Sequence, residues 1–445
     1  MTVDISGTAV LPTTALTPNQ QGIVTTINNV LAVGTTSPAF ANLVAGLAPY
    51  IASPSSFGAA LDELSSAKFN AFASTTAFNN AAFDTQAQDD YLAGRRGGPQ
   101  GAFIGGSGQL DTTQLVVNQP GVDPTLALIH SRLLAWNQPA GISDVASPLL
   151  GGVDMKDSKA MQQCNCYSEG NPWNVFVRGN VTLAQDFSQG DIPHVDDNTE
   201  SVVAGADYRL TPNFLVGLTA GYAHTDATLD TLGSSATVDS YSPGIYAAWS
   251  DHGWYANFQG RYTYNSYTSS RRIDFLDQTA DGATDGNEDV VDADGGYEFH
   301  HGAWTYGPLA GLQYTHLTLN SYNETGSDAA LSVNEDQADS LRSRLGFSLN
   351  YAIHTPCAQL TPHLTASWQH EFMDQARGIT SQFDTFGGGS FVVRTPTTDQ
   401  DSALIDLGVD AQVNKSVSVF TDYSVQAGQS NYFGQSVQAG VKIGF

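Results

Sequence analysis

Positive charge is scarce in this chain: 17 lysines and arginines stand against 44 aspartates and glutamates over 445 residues, a formal net charge of -27. A nucleic-acid partner requires a basic footprint that displaces phosphate counterions, so that class is excluded. Cysteine is nearly absent. Cys164, Cys166 and Cys357 make no disulfide framework, and a CxC pair without a neighbouring His or further Cys leaves zinc short of ligands. Long apolar runs are missing as well; nothing approaches the ~18 residues of a transmembrane helix. Two classes remain, a soluble protein or a membrane barrel whose hydropathy is hidden by alternation. The opening residues MTVDISGTAV lack the basic and apolar regions of a secretory signal. A barrel reading therefore carries the expectation of a C-terminal part of a longer exported protein, or of a start placed elsewhere.

What is present falls into blocks. Residues 1–16 are rich in Thr, Ala and Pro and read as a linker or passenger remnant. Residues 17–94 read as an α-helical region. Thr17 is the expected N-cap and Pro18 the first helical residue, with Ile23, Ile27, Val30 and Leu31 on one side. A second helix is expected over 39–51 and a third over 56–94, where Phe69, Phe72, Phe78 and Phe83 recur at roughly helical spacing and pack their own bundle or hairpin. Residues 95–172 read as a linker. It holds GAFIGGSG (101–108), which lacks the Lys-Ser/Thr ending of a phosphate loop, and one helix over 123–136, capped by Asp123, opened by Pro124 and lined by Leu126, Ile129, Leu133 and Leu134.

At Trp173 the period changes from helical to two and stays there. Trp173, Val175, Val177, Val181 and Leu183 alternate with Asn174, Arg178, Asn180 and Thr182. Leu345, Phe347, Leu349 and Tyr351 alternate with Arg342, Arg344, Gly346, Ser348 and Asn350. Ile405, Leu407, Val409 and Ala411 alternate with Asp406, Gly408, Asp410 and Gln412. The last residues, QSVQAGVKIGF, set Val437, Ala439, Val441, Ile443 and Phe445 against small and polar neighbours. Apolar side chains toward lipid and polar ones toward a wet lumen explain this pattern, and a one-residue slip would place charges in lipid. Very short turns, such as that around His252-Gly253, alternate with long stretches at 273–290, 321–330 and 375–399. The expected fold is mainly β: a twelve-stranded antiparallel transmembrane barrel over 173–445, with an N-terminal α-helical region and a helix in the pore. Trp249, Trp254, Trp304, Tyr306 and Trp368 near strand ends fit interfacial girdles.

In that barrel Arg178, Arg342 and Arg344 point inward, and Asp406 and Asp410 are their expected partners. They either dock the pore helix and guide a passenger, or hold barrel shape as an ion-pair network. Residues 277–296 carry seven acidic side chains. Asp285, Asn287 and Asp289 mimic the start of a calcium loop, but Val290 replaces the required Gly and Gly296 the closing Glu, so a solvated external loop is expected. There is no GxSxG or HExxH, and His300-His301 sits at a turn. His363 and His370 fall on opposite faces of one strand and cannot share a ligand. No enzyme activity, cofactor or metal is expected.

LTPNQQ at 16–21, LSVNEDQADSLRSRLGFSLNY at 331–351, LTPHLTASWQHEF at 360–372 and the terminal VKIGF together resemble the β-domain of bacterial autotransporters, the translocation unit of type V secretion. The resemblance covers 16–94 and 173–445. It implies an outer-membrane barrel, with external loops, that anchors an N-terminal passenger and lets it reach the cell surface while a helix spans the pore. It also implies partners: outer-membrane lipid and lipopolysaccharide, periplasmic chaperones, the barrel-assembly machinery reading the terminal Phe445, and the chain's own passenger. Against the family's pattern, the stretch between the LTPNQQ region and the first strand is long; 123–136, the strong helix nearest that strand, is the expected pore helix. Some members cut themselves at an Asn–Asn pair in that helix. Asn28-Asn29 and Asn79-Asn80 occur here, and ordinary helix-surface amides are the simpler reading. A stand-alone pore with residues 1–172 as plug, and a barrel-anchored adhesin displaying the helices, are the alternatives.

Overall fold

The computed structural model describes residues 10–34, 37–96, 172–188, 194–355, 358–397, 399–414 and 416–445. The helix expected over 123–136, the Gly-rich stretch 101–108 and all three cysteines lie outside the described residues. From Trp173 the chain forms twelve barrel strands. They are β1 (Trp173–Asp186), β2 (Val195–Thr211), β3 (Phe214–Thr228), β4 (Ser235–Asp251), β5 (Trp254–Ile273) and β6 (Gln278–Tyr297). There follow β7 (Trp304–Leu319), β8 (Asp336–Tyr351), β9 (Gln359–Glu371), β10 (Asp401–Gln412), β11 (Val417–Ala427) and β12 (Tyr432–Gly444).

Each strand pairs antiparallel with the next, and β12 pairs with β1 from Asn174↔Gly444 to Asp186↔Tyr432, so the sheet closes without an edge. Closure satisfies every ladder group internally, which is the requirement for crossing lipid with strands. Trp173 and Phe445 exchange main-chain hydrogen bonds at 3.3 and 3.0 Å, carrying the seam to the last residue. The expected alternation is realised. Val177, Leu218, Ile245, Leu345, Leu407 and Val437 are exposed on the outside, while Arg178, Arg342, Arg344, Asp406 and Gln438 are buried on the inside. Trp173 against Tyr208 and Trp304 against Tyr351 pack as tilted ring pairs with centres 4.7 and 4.4 Å apart at one rim, as a girdle would.

One end of the barrel has short turns. Between β4 and β5, His252 (φ 50°) and Gly253 (φ 86°) form the two-residue turn with both central residues left-handed, whose twist matches the strands. The other end is more ordered than its composition implies. The acidic stretch expected as a loop is mostly strand: β6 begins at Gln278, and its inward positions Glu288 and Asp292 are buried while Asp285 and Asp289 face outward. Acidic residues occupy both faces of this strand, so the lumen takes Glu288 and Asp292 and water takes Asp281, Asp285 and Asp289. The long connections after β7 and β9 supply a separate four-stranded sheet, ordered 390–394, 378–383, 331–333, 322–323.

Among the described residues four α-helices precede the barrel: α1 (Pro18–Val33), α2 (Pro38–Leu47), α3 (Pro54–Asp62) and α4 (Ala67–Arg96). Thr17 caps α1 in a capping box with Gln20, whose amide also donates to Asp62 at the end of α3. α1 to α3 seat on the four-stranded sheet; Asn19 exchanges two hydrogen bonds with the Arg394 main chain at 2.7 and 3.0 Å. The resulting core joins Ile23, Leu43 and Phe57 of the helices to Phe383, Phe391 and Val393 of the loops. The third expected helix is therefore two, and its aromatics do not form a bundle of their own. Phe69 packs edge-on against Tyr267 and Tyr322 of the barrel side instead.

Candidate functional site

No described helix is apolar enough to cross a membrane, yet α4 runs the length of the barrel. At ~1.5 Å per residue its thirty residues span about 45 Å. It carries little Leu, Ile or Val and much Ala, Asn, Gln, Thr and Asp, a composition too polar for a protein core or lipid. Inside a polar wall the same composition is an asset, because side chains on every face find a donor or acceptor.

The partners follow the helix downward. At the long-loop end, Lys68 Nζ meets Asp230 Oδ2 at 2.9 Å in the connection after β3. Burial pushes the Asp230 carboxyl up, but the Lys68 charge and Ser234 donors outweigh it and hold it below the usual range. Beside it Glu63 receives the Asp274 main-chain N–H at 2.7 Å, and burial raises its carboxyl despite that bond. Midway, Arg342 Nη1 donates to Asn79 Oδ1 at 2.9 Å, and Gln313 donates to the Ala81 carbonyl and to Thr85 Oγ1. Arg261 binds Asp84 of the helix at 2.7 Å and Glu288 of the wall at 3.4 Å. Arg344 does the same between Asp89 and Asp292, at 3.0 and 2.8 Å.

At the short-turn end the wall closes on the helix. Buried Asp207 accepts from the Tyr91 hydroxyl, from Tyr246 at 3.1 Å and from Arg95 at 2.7 and 3.1 Å. Arg96 binds Glu298 at 3.1 Å and lies 3.9 Å from the centre of the Tyr255 ring. Between the upper half of α4 and β1 to β6 a cavity of about 60 Å³ remains, lined by residues such as Thr76, Thr182, Thr199, Thr225 and Asn265. It accommodates a few waters and no larger solute.

Of the residues singled out in the sequence, Arg178, Arg342, Arg344 and Asp406 are buried in the lumen and Asp410 is half-buried there. The expected pairing between them is not what forms. Arg178 donates to Gln88 Oε1 at 3.4 Å and Arg342 to Glu371 at 3.0 Å, while Arg344 takes Asp89 and Asp292. Asp410 takes Lys442 at 2.7 Å, and Asp406 receives Ser424. The cause is register: Asp406 and Asp410 stand beyond β9, whereas β8 presents its arginines to Glu371 on one side and β6 and α4 on the other. His363 points inward and His370 outward, as their strand positions require. Phe445 is 62% exposed at the short-turn rim. The residues that sequence reasoning passed over are those of α4, Asp84, Asp89, Asp90 and Tyr91 above all, because a polar helix normally signals a solvated surface. The available signal was its shortage of Glu and Lys, which such surfaces use.

Residues 175–424 match the family model described as autotransporter beta-domain. Esterase EstA of Pseudomonas aeruginosa is 22% identical over 282 residues, 61% of this chain and 43% of that protein, and Esterase EstA of Pseudomonas putida gives the same figures. The match thus spans less than half the length of these relatives. The translocator domain of autotransporter NalP from Neisseria meningitidis shares the fold, with a TM-score of 0.52 and 18% identity over 62% of this chain and 89% of that one.

Proposed function

Because the chain belongs to the autotransporter β-domain family, an outer-membrane translocator, we propose that it anchors a passenger placed ahead of residue 17 and carries it to the cell surface. The course of α4 is the observation that supports this most. The helix starts among α1 to α3 at the long-loop end and finishes at the short-turn end, where β1 also begins. In this reading long loops face outward, the short turns and Phe445 face the periplasm, and α1 to α3 form the outer seat on which a passenger ends. The passenger passes the lumen extended. α4 follows last, and its polar faces replace the water that filled the pore. The barrel supplies anchorage and a route, and any catalysis belongs to the passenger. Assembly machinery reads the terminal strand and its exposed Phe445.

An epitope fused ahead of Thr17, with a signal peptide before it, tests this. Protease added to intact cells is expected to remove the epitope and leave the barrel, whereas an epitope protected until the outer membrane is broken would end the reading. The same blot decides a second reading, self-cleavage at Asn79-Asn80. That pair lies in the lumen helix, with Arg342 and Gln426 donating to Asn79 Oδ1. Donors on Oδ1 acidify the Nδ2–H; when that proton is lost, Nδ2 attacks the 79–80 carbonyl carbon. A succinimide closes on residue 79 as the peptide bond breaks, and the leaving nitrogen takes up a proton to become the amino terminus of a chain that begins at Asn80. Helical backbone geometry opposes that attack, and full-length chain in mature outer membranes would dismiss it.

A further inference from the structure

We infer that the lumen contains a divalent transition-metal site built from Asp90 of α4 and His363, Asp406 and Asp422 of the wall, and that the bound ion ties helix to barrel. The four side chains come from four elements and meet in the interior. His363 Nε2 on β9 lies 2.9 Å from Asp422 Oδ1 on β11 and 3.5 Å from Asp406 Oδ1 on β10. Ligand atoms of Asp90, His363 and Asp406 all fall within 4.8 Å of one another. Each residue is at most 9% exposed.

Neutral donors satisfy part of this cluster and leave the rest aimed inward. Gln86 donates to Asp90 Oδ1 at 2.9 Å and Ser424 to Asp406 Oδ2 at 2.5 Å. Among the described residues, Asp90 Oδ2, Asp406 Oδ1, both Asp422 oxygens and His363 Nε2 have no hydrogen-bond partner. The 2.9 Å approach of His363 to Asp422 is close but not aligned as a hydrogen bond. Two ligands each ~2.1 Å from one tetrahedral or octahedral ion stand about 3.0–3.4 Å apart, and His363 Nε2 lies close to that range from its two nearest carboxylates, at 2.9 and 3.5 Å.

Charge makes the same point. Asp90, Asp406 and Asp422 surround one imidazole, and a fourth carboxylate, Asp410, lies 4.0 Å from its Nδ1 but is held by Lys442 at 2.7 Å. Even with a protonated imidazole three ionised carboxylates would leave a surplus of two negative charges, which burial makes costly unless protons or a cation neutralise them. An imidazole among carboxylates selects manganese, iron, cobalt, nickel or zinc over calcium and magnesium. The strand between the two nearest ligands is shaped for them: Gly408 pairs with His363 on one side and Asp422 on the other. A methyl group there would overlap both side chains.

Calorimetric titration of the chelator-treated full chain in detergent with MnCl2, which the thiols of Cys164, Cys166 and Cys357 hold poorly, tests the site. The expected result is one saturable ion per chain, displaced by ZnCl2 and not by CaCl2, with affinity reduced at least tenfold in His363→Gln and in Asp90→Asn. Asp90 is on the helix and takes no part in barrel closure, so that variant reports even if His363→Gln does not assemble. No saturable binding to the wild-type chain, or binding unchanged in the variants, overturns the inference.

Discussion

A chain lacking residues 10–96 is expected to insert as a closed barrel and to conduct severalfold more current in planar bilayers than the full chain. The wall does not depend on the helix for its backbone bonds; every barrel strand pairs with its two neighbours in the sheet. What the helix supplies is occupancy. It fills the lumen so that a cavity of about 60 Å³ is left along its upper half, and it neutralises wall charges that water would otherwise solvate. Removing it exposes Arg178, Arg261 beside Glu288 and Arg344 beside Asp292, a hydrated pore lined by both signs. Equal conductance of the two chains would mean that something other than α4 seals the barrel.

The second large effect is expected at Arg344. An Arg344→Met variant of the full chain should denature at a much lower temperature in heat-modifiability gels, with a loss of about 3–5 kcal/mol, the usual consequence of removing one member of a buried ion pair. Arg344 donates to Asp89 at 3.0 Å and to both oxygens of Asp292 at 2.8 and 2.9 Å, so it binds helix to wall in one step. Without it, ligand atoms of Asp89, Asp292 and Asp294 remain within 4.8 Å of one another around no cation. Methionine keeps the apolar stem and isolates the loss of charge. Arg272, beside Asp274 and Asp277 at the rim, is the control: its pairs are solvent-screened, and its replacement by Ala should leave the transition where it was.

The barrel was legible because its cause is local. Alternation is set by each strand's two faces, so Leu345, Phe347 and Leu349 against Arg342, Arg344 and Gly346 places the strand without knowledge of its neighbours. The seam between β12 and β1 follows once the strand number is even. The acidic segment that forms most of β6 reads as loop because its outward positions carry Asp as well as its inward ones, which hides the period. The helix was harder. Its burial is dictated by arginines contributed from β1, β5 and β8, remote in sequence, and polar residues on a helix have no pattern that separates a wet lumen from bulk water. The pairing of the inward charges was out of reach for the same reason. Strand order says which side chains face inward, whereas register and the helix decide which of them meet.

The direction in which the chain threads the barrel is tested most directly by labelling two single cysteines with a membrane-impermeant maleimide, in a chain whose Cys164, Cys166 and Cys357 are replaced by serine. Val33, 81% exposed at the end of α1, belongs to the helices of the long-loop end, and His252, with 89% of its side chain exposed, marks a short turn. Val33→Cys should react in intact cells and His252→Cys only after the outer membrane is opened. The reverse pattern would contradict the account, and so would a Val33→Cys chain that stays unlabelled until the cells are broken.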